Sequence, residues 1–283
     1  MFRLELENEF NNIVNIDDGI RYIITNVSGL NPPSASIFTS KSPNRKGVKY
    51  NGSTLNERHI VISIKLLGNV EANRNYLYNW ISTEQYTKVR FENDTKRIYC
   101  EGHVEECEVD IFTDNEIINV AIICESPYWK DLQEISVEMG MILKQFTFTF
   151  AIDKEGIPFS TIKDDNSTSI FNYGAETGVV IRIHCNNEIQ NINIFNVNDL
   201  TQQFQLNHTF NMNEIIEIDT ESSPKTCKLI KTDGTTESIL KYVGHNPTWF
   251  TLKRGANVFS YTTDSEVTDL DISINYTNKY SGV

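Results

Sequence analysis

The chain has 283 residues, of which 39% are hydrophobic and 11% aromatic, so it has material for real cores and is not an intrinsically disordered protein. Single cores tend to split as chains approach this length, and two domains are therefore expected. The formal net charge of −13 argues against a protein that wraps nucleic acid, which needs a basic face to displace counterions. No window contains the roughly 20 apolar residues that span a bilayer, and the alternating N-terminus resembles a first strand, not a secretion signal.

The cysteine content indicates the redox environment of the chain. There are five cysteines, an odd number, with wide spacings. Several lie inside strand-like runs, where a free cysteine behaves as a small hydrophobic residue. We expect a protein made in a reducing cytosol without structural disulfides.

The first strong elements are a strand and a helix. In "RHIVISIKLLG", Ile60, Ile62 and Ile64 recur with period two, which predicts a half-buried strand. The next segment, "VEANRNYLYNWIST" (70–83), predicts a helix. Its residues Leu77, Trp80 and Ile81 fall at i, i+3 and i+4, so this narrow apolar stripe should pack the helix against a sheet.

An antiparallel meander is predicted after the helix. Two strands flank the turn 93–95, and the apolar run "IINVAIIC" forms the next strand. Pro127 closes that strand, because proline lacks the N–H that a sheet requires. Tyr128 and Trp129 then cap a core, so a first domain over residues 1–130 is predicted.

The stretch "NPPSASIFTSKSPNRKGVKY" (31–50) differs from its surroundings and predicts a long projecting hairpin or loop. Its basic part holds Lys41, Arg45, Lys46 and Lys49 and no acid. Two interpretations stay open here. These charges contact an acidic neighbour, such as another copy of the chain, or they are a solvated loop tip.

The remaining chain predicts a connection followed by a second β domain. Residues 131–165 form the connecting segment, in which Phe146, Phe148 and Phe150 alternate as an inter-domain or edge strand. In residues 166–283 short strands recur every 8–12 residues between turns. That spacing is typical of a β-sandwich or barrel.

Few residues suggest chemistry. Cys100, His103 and Cys107 suit zinc by type, but on a strand Cys100 and His103 face opposite sides, while His103 and Cys107 share a face about 13 Å apart. The acidic pairs 17–18, 105–106 and 164–165 are interpreted as solvated. No P-loop, G-x-S-x-G or G-x-G-x-x-G motif occurs. We therefore expect no enzyme, no cofactor and no metal site.

Trp249 is the candidate for a sugar contact. Alternation in "NPTWFTLKRGANVF" makes Phe250 core and leaves Trp249 free to form an aromatic platform. Burial of Trp249 together with Tyr242 and Tyr261 would remove this candidate.

Five segments follow one another in the first half of the chain: RHIVISIKLLGN, RNYLYNWI, VRFEND, RIYCEGHV and VAIICESPYW. In this order they resemble the N-terminal half of the distal tail proteins of long-tailed bacteriophages. That family has an arginine-x-x-leucine-x-x-x-leucine-like helix after its central strand, matched here by Arg74, Leu77 and Ile81. Pro127 and Tyr128 match a proline–tyrosine strand end.

The second half resembles the same family. The matching segments are FNYGAETGVVIRIHC at the start of the domain, LKRGANVF as a leucine-x-x-glycine-x-asparagine turn, and DISINYTNKYSGV as the final strand and tail. Each motif alone is weak, but their order and spacing over essentially the full chain are fairly specific.

The resemblance implies a mainly β fold with two domains: an N-terminal β-sandwich-like ring domain with one α-helix and a long hairpin, and a C-terminal galectin-like β-sandwich. It implies that the N-terminal domains form a homohexameric ring around the tail channel, with the hairpin reaching across to a neighbour. Lys41, Arg45, Lys46 and Lys49 would then lie at a subunit interface. Leu77, Trp80 and Ile81 would pack the helix of the ring domain.

The function implied is that of a structural hub in the virion, at the tail tip or baseplate, made in the cytoplasm of the host bacterium. Its partners would be the tail tube protein, a tail-tip or tail-associated protein, and a receptor-binding protein or adhesin, with no membrane and no tight nucleic-acid binding. The alternative is a carbohydrate-binding host-adhesion protein that acts through the C-terminal β-sandwich.

Overall fold

The computed structural model describes residues 2–43, 46–113, 115–139, 142–143, 161–162, 167–266 and 269–283. The chain divides into two compact units. Unit 1 comprises Met1–Leu132 and Lys279–Val283, and unit 2 comprises Gln133–Asn278. The residues 279–283 thus belong to unit 1, whereas the sequence-based boundaries assign them to the second domain.

Strands dominate the described residues. The earlier strands are β1 (Arg3–Asn8), β2 (Ile13–Asn15), β3 (Tyr22–Ser28), β4 (Ala35–Ser40), β5 (Lys49–Leu55), β6 (Arg58–Leu66), β7 (Tyr86–Glu92), β8 (Arg97–Val109), β9 (Ile117–Cys124) and β10 (Trp129–Asp131). The helix α1 (Val70–Tyr78) lies between β6 and β7. The later strands are β11 (Ile135–Met139), β12 (Ile142–Leu143), β13 (Thr161–Ile162), β14 (Ser167–Asn172), β15 (Thr177–Gly178), β16 (Val180–Cys185), β17 (Ile189–Asn196), β18 (Asp199–Phe210), β19 (Ile215–Asp219), β20 (Thr226–Ile230), β21 (Thr236–Ser238), β22 (Thr251–Leu252), β23 (Gly255–Thr263), β24 (Leu270–Tyr276) and β25 (Lys279–Tyr280).

Unit 1 is built on one nine-stranded antiparallel sheet. Its main path runs β2-β1-β7-β8-β9-β6-β3, and β10 pairs with both β8 and β25. Ile60, Ile62 and Ile64 of β6 are fully buried, as their alternation predicts. Trp129 is also fully buried in the same core. Each such side chain contributes roughly 1.5–3 kcal/mol through burial, so this core holds the sheet together.

The helix α1 is shorter than the sequence predicts. It begins at an Asn69 cap, whose side chain accepts a hydrogen bond from the Ala72 N–H, and it ends at Tyr78. Leu77 is buried in the core of unit 1. Trp80 and Ile81 lie in the turn that follows, where Ile81 is buried and Trp80 is half-buried. Asparagine, serine and threonine at 79–83 favour a turn over further helix. No helix in the described part of the chain is long and apolar enough to cross a membrane.

A β-bulge in β8 changes the faces predicted for its side chains. The register between β8 and β9 shifts between Val104 and Glu106. Beyond the bulge Cys107 lies opposite Val120, which is fully buried, whereas His103 before the bulge is exposed. His103 and Cys107 therefore lie on opposite faces of the sheet, and the prediction that they share a face is wrong.

Unit 2 is a sandwich of two antiparallel sheets. The six-stranded sheet has the order β11-β24-β16-β19-β20-β21, and the four-stranded sheet has the order β14-β23-β17-β18. One core takes side chains from both, such as Ile181 and Ile183 from the first and Ile192 and Phe204 from the second. The predicted strand formed by residues 146–150 lies outside the described residues.

Candidate functional site

The projecting segment predicted near residues 31–50 is a two-stranded hairpin. Strands β4 and β5 pair from Ala35–Leu55 to Ser40–Lys49, with a bulge between Phe38 and Thr39. We call residues 35–55 the hairpin. Within the described residues, β4 and β5 form a sheet of their own without a third strand. Because an isolated two-stranded hairpin is marginally stable in water, this element gains from a surface to rest on.

The hairpin exposes large apolar side chains. Ile37 is 64% exposed and Tyr50 is 61% exposed. The other exposed apolar residues of the hairpin are Phe38, Val48 and Leu55. Contiguous exposed apolar surface on a soluble protein marks interaction sites, so this element has the character of an interface.

The loop of the hairpin carries the predicted basic charges. Lys41, Lys46 and Lys49 are exposed, whereas Arg45 lies outside the described residues. Positive charges and apolar side chains therefore occur on the same hairpin. A complementary surface would be acidic and partly apolar.

The hairpin rises from a tightly packed base. We call residues 29–33 together with Arg58 the root. Gly29 has a φ of +84°, and a Cβ atom there would lie 2.1 Å from the carbonyl oxygen of His59. Glycine adopts this backbone without strain, and any Cβ atom at this position would clash with the His59 carbonyl group. The position of the root against β6 is therefore specified by this residue.

Arg58 binds the root to two other segments. Its guanidinium donates hydrogen bonds to the carbonyl oxygens of Gly29, Asn31 (2.9 Å), Pro127 (2.8 and 3.1 Å) and Ser281 (2.6 Å). Arg58 is only 2% exposed. A buried guanidinium is costly unless its donors are satisfied, and here four carbonyl groups satisfy them.

The electrostatics of the root are those of a buried cation held by dipoles. Burial lowers the pKa of Arg58, while the nearby thiols of Cys100 and Cys124 act in the opposite direction. The guanidinium also lies 5.2 Å from the ring centre of Trp129. An arginine stays protonated in proteins, so Arg58 is a charged clamp at neutral pH.

The residues 279–283, here called the C-terminal segment, pack against the root. Lys96 donates through Nζ to the carbonyl oxygen of Gly282 at 2.9 Å. The backbone N–H of Val283 donates to the carbonyl oxygen of Leu30 at 3.2 Å. The C-terminal segment therefore holds in place the residues from which the hairpin begins.

Sequence reasoning missed the role of Arg58, although a signal was present. Arg58 falls on the same face of its strand as Ile60 and Ile62, which is the buried face. A charged residue at an inward position requires internal partners. The pattern could thus have identified a buried arginine, but not the four carbonyl groups that bind it.

Trp249, predicted as a sugar contact, lies against the core of unit 2. It is partly buried, with its ring centre 5.1 Å from that of Phe204 in an edge-to-face arrangement. Tyr261 is 1% exposed, and Tyr242 is half-buried and stacked on His208 at 3.8 Å. These side chains do not form an open platform. A sugar contact at Trp249 stays a prediction.

Unit 2 presents a different exposed aromatic pair. Phe171 and Tyr173 are 51% and 73% exposed, with ring centres 4.6 Å apart. Sequence reasoning missed this pair because the surrounding segment "FNYG" reads as the end of a strand. An exposed aromatic residue at a strand end was the signal available.

The predicted chemical candidates do not come together. Among the described residues, no group of three His, Cys, Asp or Glu side chains could hold a metal ion. All five cysteines are free thiols, and burial raises the pKa of Cys185 and of Cys227 to about 12. These two thiols are protonated at neutral pH and act as core residues.

The acidic pairs have local structural roles where they are described. Asp18 accepts hydrogen bonds from the backbone N–H groups of Ile20, Arg21 and Tyr22. Glu105 lies 2.7 Å from the His59 ring. The pair 164–165 lies outside the described residues. Asp18 and Glu105 are thus accounted for by a turn and by a side-chain hydrogen bond.

Comparison with known proteins identifies the class of the fold. Residues 147–280 match the family model described as siphovirus-type tail component, C-terminal domain. A search among curated proteins finds no match. The C-terminal part of the chain is therefore similar to this tail-component domain, in agreement with the resemblance predicted from the sequence.

Two solved structures extend the likeness over the whole chain. The crystal structure of the Dit protein (gp 19.1) of phage SPP1, described as a paradigm of the hub adsorption apparatus in phages infecting Gram-positive bacteria, matches with a TM-score of 0.72 and 12% identity over 99% of both chains. A chain of the phage P2 baseplate, in its activated conformation with Ca, matches with a TM-score of 0.54 and 10% identity over 100% of both chains. At such identities the likeness shows a shared fold, so the described residues have the fold of the SPP1 Dit protein.

Proposed function

We propose that this protein is a structural hub of a phage or phage-like tail tip or baseplate. The observation that carries the proposal is the match of the entire chain to the fold of the SPP1 Dit hub, with coverage of 99% in both directions. The family match over residues 147–280 supports the same role. The protein would act in the virion, at the tail tip, without an enzymatic activity.

The hairpin supplies a mechanism for self-assembly. Each copy carries one hairpin with exposed apolar and basic side chains. If the hairpin of one copy rests on a different surface of the next, the contact is heterologous, and such contacts close into rings when the rotation permits. We infer that the N-terminal units form a homohexameric ring in this way.

The ring would connect the other parts of the tail. The proposed partners are the tail tube protein on one side and a tail-associated protein and a receptor-binding protein or adhesin on the other. The net charge of −13 supports a channel wall that DNA passes without being held. The galectin-like sandwich proposed for unit 2 would project from the ring.

The mass of the purified protein in solution tests the ring. Analytical ultracentrifugation over a range of protein and salt concentrations should show a six-fold species, or an equilibrium towards it that weakens with salt. Electron microscopy of the same sample should show closed rings. A chain that associates only as a symmetric dimer would contradict the heterologous contact.

Charge reversal of the hairpin tests the interface itself. The triple variant Lys41→Glu, Lys46→Glu and Lys49→Glu should assemble at least about tenfold more weakly than the wild type, because basic charges would be replaced by acidic ones. A matched control reverses three exposed basic residues of unit 2, Lys225, Lys253 and Arg254. Equal losses in the two variants would point to net charge and not to the hairpin.

A further inference from the structure

The four-stranded sheet of unit 2 is almost free of charged side chains. Its strands β14, β23, β17 and β18 contain one Asp, Glu, Lys or Arg residue, which is Asp199 at the start of β18. Every strand of the six-stranded sheet carries such a residue: Glu138, Asp271, Arg182, Glu217, Lys228 and Glu237. Since 22% of the whole chain is charged, the two sheets of the same sandwich present different chemistry.

The outward side of the four-stranded sheet, here called the amide face, presents amides and hydroxyls. Ile194 and Phe204 pair across β17 and β18 and are buried in the core, so alternation places their neighbours on the opposite side. The polar residues of the amide face include Asn193, Gln203, Gln205, Asn207, Ser260 and Thr262. Amides and hydroxyls both donate and accept hydrogen bonds, so this face can pair with neutral groups of either kind.

Asn193 lies in the middle of the strands of the amide face. Its direct partners across the sheet are Gln205 and Thr262, and both are exposed. The Asn193 Nδ2 donates to the Gln203 Oε1 at 3.3 Å. Its Oδ1 is buried, and no described group donates to it. A buried acceptor without a donor costs free energy, and a ligand hydroxyl that displaces an exposed neighbour would remove this cost.

Aromatic rings lie at one end of the amide face. Phe171 of β14 points outward opposite Ala256, and its ring contacts that of Tyr173. Both rings are more than half exposed. Aromatic side chains of this kind combine a large apolar surface with a preferred packing geometry. The amide face therefore offers apolar contact at one end and hydrogen bonds along the rest.

The composition of the face distinguishes between classes of ligand. An anionic polymer or a basic protein segment would be matched by side chains of opposite charge, and these strands hold only Asp199. A purely apolar partner would leave the amides without hydrogen bonds. A neutral carbohydrate presents hydroxyl groups that donate and accept hydrogen bonds, and C–H groups that pack on aromatic rings. Its chemistry is the one that matches the amide face.

We propose that the amide face binds a neutral oligosaccharide. Phe171 and Tyr173 would pack against one sugar ring, and Asn193, Gln203 and Gln205 would form hydrogen bonds with hydroxyl groups of sugars further along the chain. The site differs from the contact predicted at Trp249. The inference goes beyond the proposed hub function and does not depend on a ring, because all of these residues belong to unit 2.

The spacing along the strands favours a chain of sugars over a single one. Phe171 lies opposite Ala256, and Asn193 lies opposite Thr262, six positions further along β23. At ~3.3 Å per residue these points are about 20 Å apart along the sheet. Several linked sugar rings are needed to reach from the aromatic pair to Asn193.

A glycan array that carries neutral and anionic oligosaccharides and single sugars tests the proposal with the full chain. The protein should bind neutral oligosaccharides more strongly than the corresponding single sugars. It should bind anionic glycans less, because its net charge of −13 repels them. Binding to anionic glycans alone, or to no glycan, would overturn the proposal.

Removal of the aromatic pair tests the assignment to this face. Phe171→Ala with Tyr173→Ala should weaken binding to the neutral glycans of the array by about tenfold, because two packing surfaces are lost. The matched control, Phe10→Ala with Tyr76→Ala, removes an exposed Phe and an exposed Tyr from unit 1 and should bind as the wild type does. Equal losses in the two variants would place the contact elsewhere and overturn the assignment.

Asn193→Leu separates binding from folding. The substitution keeps the size of the side chain and removes its amide, so glycan binding should fall by about tenfold. The unfolding midpoint should stay equal or rise, because a buried acceptor without a described donor is removed. A lower midpoint with unchanged binding would make Asn193 a purely structural residue and would contradict its place in the site.

Sedimentation of the same variants keeps the glycan site distinct from the ring. The substitutions in unit 2 should leave self-association as in the wild type, whereas the hairpin triple variant should lose self-association and keep glycan binding. A wild-type chain that forms rings but binds no glycan would overturn the site and leave the hub function unaffected. A chain that binds neutral glycans without self-association would support the site and contradict the ring.

Discussion

The root and the hairpin of unit 1 are neighbours in the sequence. They differ in how many of their polar and apolar groups find partners within the same chain. In the root, a buried arginine finds four carbonyl acceptors within the same unit. In the hairpin, Ile37 and Tyr50 remain more than half exposed. The polar groups of the root thus find partners within one copy, whereas the hairpin leaves large apolar side chains exposed. Substitutions in the root should change folding, and substitutions in the hairpin should change assembly.

The largest effect is expected at Arg58. Arg58→Met should lower the free energy of unfolding by about 3–5 kcal/mol, because four carbonyl groups around this buried side chain lose their charged donor. Urea denaturation measures this change. Hydrogen exchange at the Val283 amide should accelerate at the same time, since the C-terminal segment loses its hydrogen bond from Arg58.

Arg97→Met is the matched control for this substitution. The side chain of Arg97 is 71% exposed and pairs with Glu92 at the surface, so its loss should cost less than about 1 kcal/mol. Similar losses of unfolding free energy for the two variants would show that the buried hydrogen bonds of Arg58 do not stabilise unit 1.

The second effect concerns the helix. Leu77→Ala should cost about 2–5 kcal/mol, because Leu77 is fully buried in the core of unit 1. Trp80→Ala should cost less despite the greater volume removed, because Trp80 is half-buried in the turn after the helix. Thermal unfolding of the two variants checks the order. A larger loss at Trp80 would place it deeper in the core than the structure does.

Local patterns predicted most of the fold. The alternation at Ile60, Ile62 and Ile64 predicted one strand and its buried face, and the even spacing of strands after residue 166 predicted a sandwich or barrel. The basic, proline-containing segment 31–50 predicted a projecting hairpin or loop, and it forms a hairpin. These features depend on neighbours in sequence, which is why periodicity and turn chemistry were sufficient.

Contacts distant in sequence were not predictable in this way. Arg58 and Ser281 are 223 positions apart, and no local pattern links them. The bulge at Val104–Glu106 also escaped prediction, and it reverses the faces of all later residues in β8. As a result the face on which Cys107 and Glu108 lie could not be predicted from the sequence.

The third effect is a dependence of the unfolding free energy on pH, which arises from Asp18 in unit 1. Burial acts to raise the pKa of Asp18, but backbone hydrogen bonds from Arg21, Ile20 and Tyr22 outweigh it and lower the pKa to about 2. A lowered pKa stabilises the fold above the unfolded value of 3.8, and this contribution is lost as the pH falls through about 2.

Substitution of Asp18 tests this contribution. Asp18→Asn should lower the free energy of unfolding by about 1–2 kcal/mol at pH 7, and the difference from the wild type should shrink towards pH 2. Urea denaturation at several pH values measures both. A difference that is constant across this range would mean that the charge of Asp18 has no part in it.

The smallest effect on folding is expected in the hairpin, where the comparison with the root is sharpest. Ile37→Ala should change the free energy of unfolding by less than about 0.5 kcal/mol, because its side chain is 64% exposed in the single chain. Ile62→Ala removes the same atoms from the buried core of unit 1 and should cost about 2–5 kcal/mol.

Sedimentation should show the reverse order, with weaker self-association for Ile37→Ala at protein concentrations where Ile62→Ala is still folded. A hairpin substitution that unfolds the protein but does not change assembly would mean that the hairpin packs in the core of its own chain. The contrast between a buried root and an exposed hairpin would then be wrong.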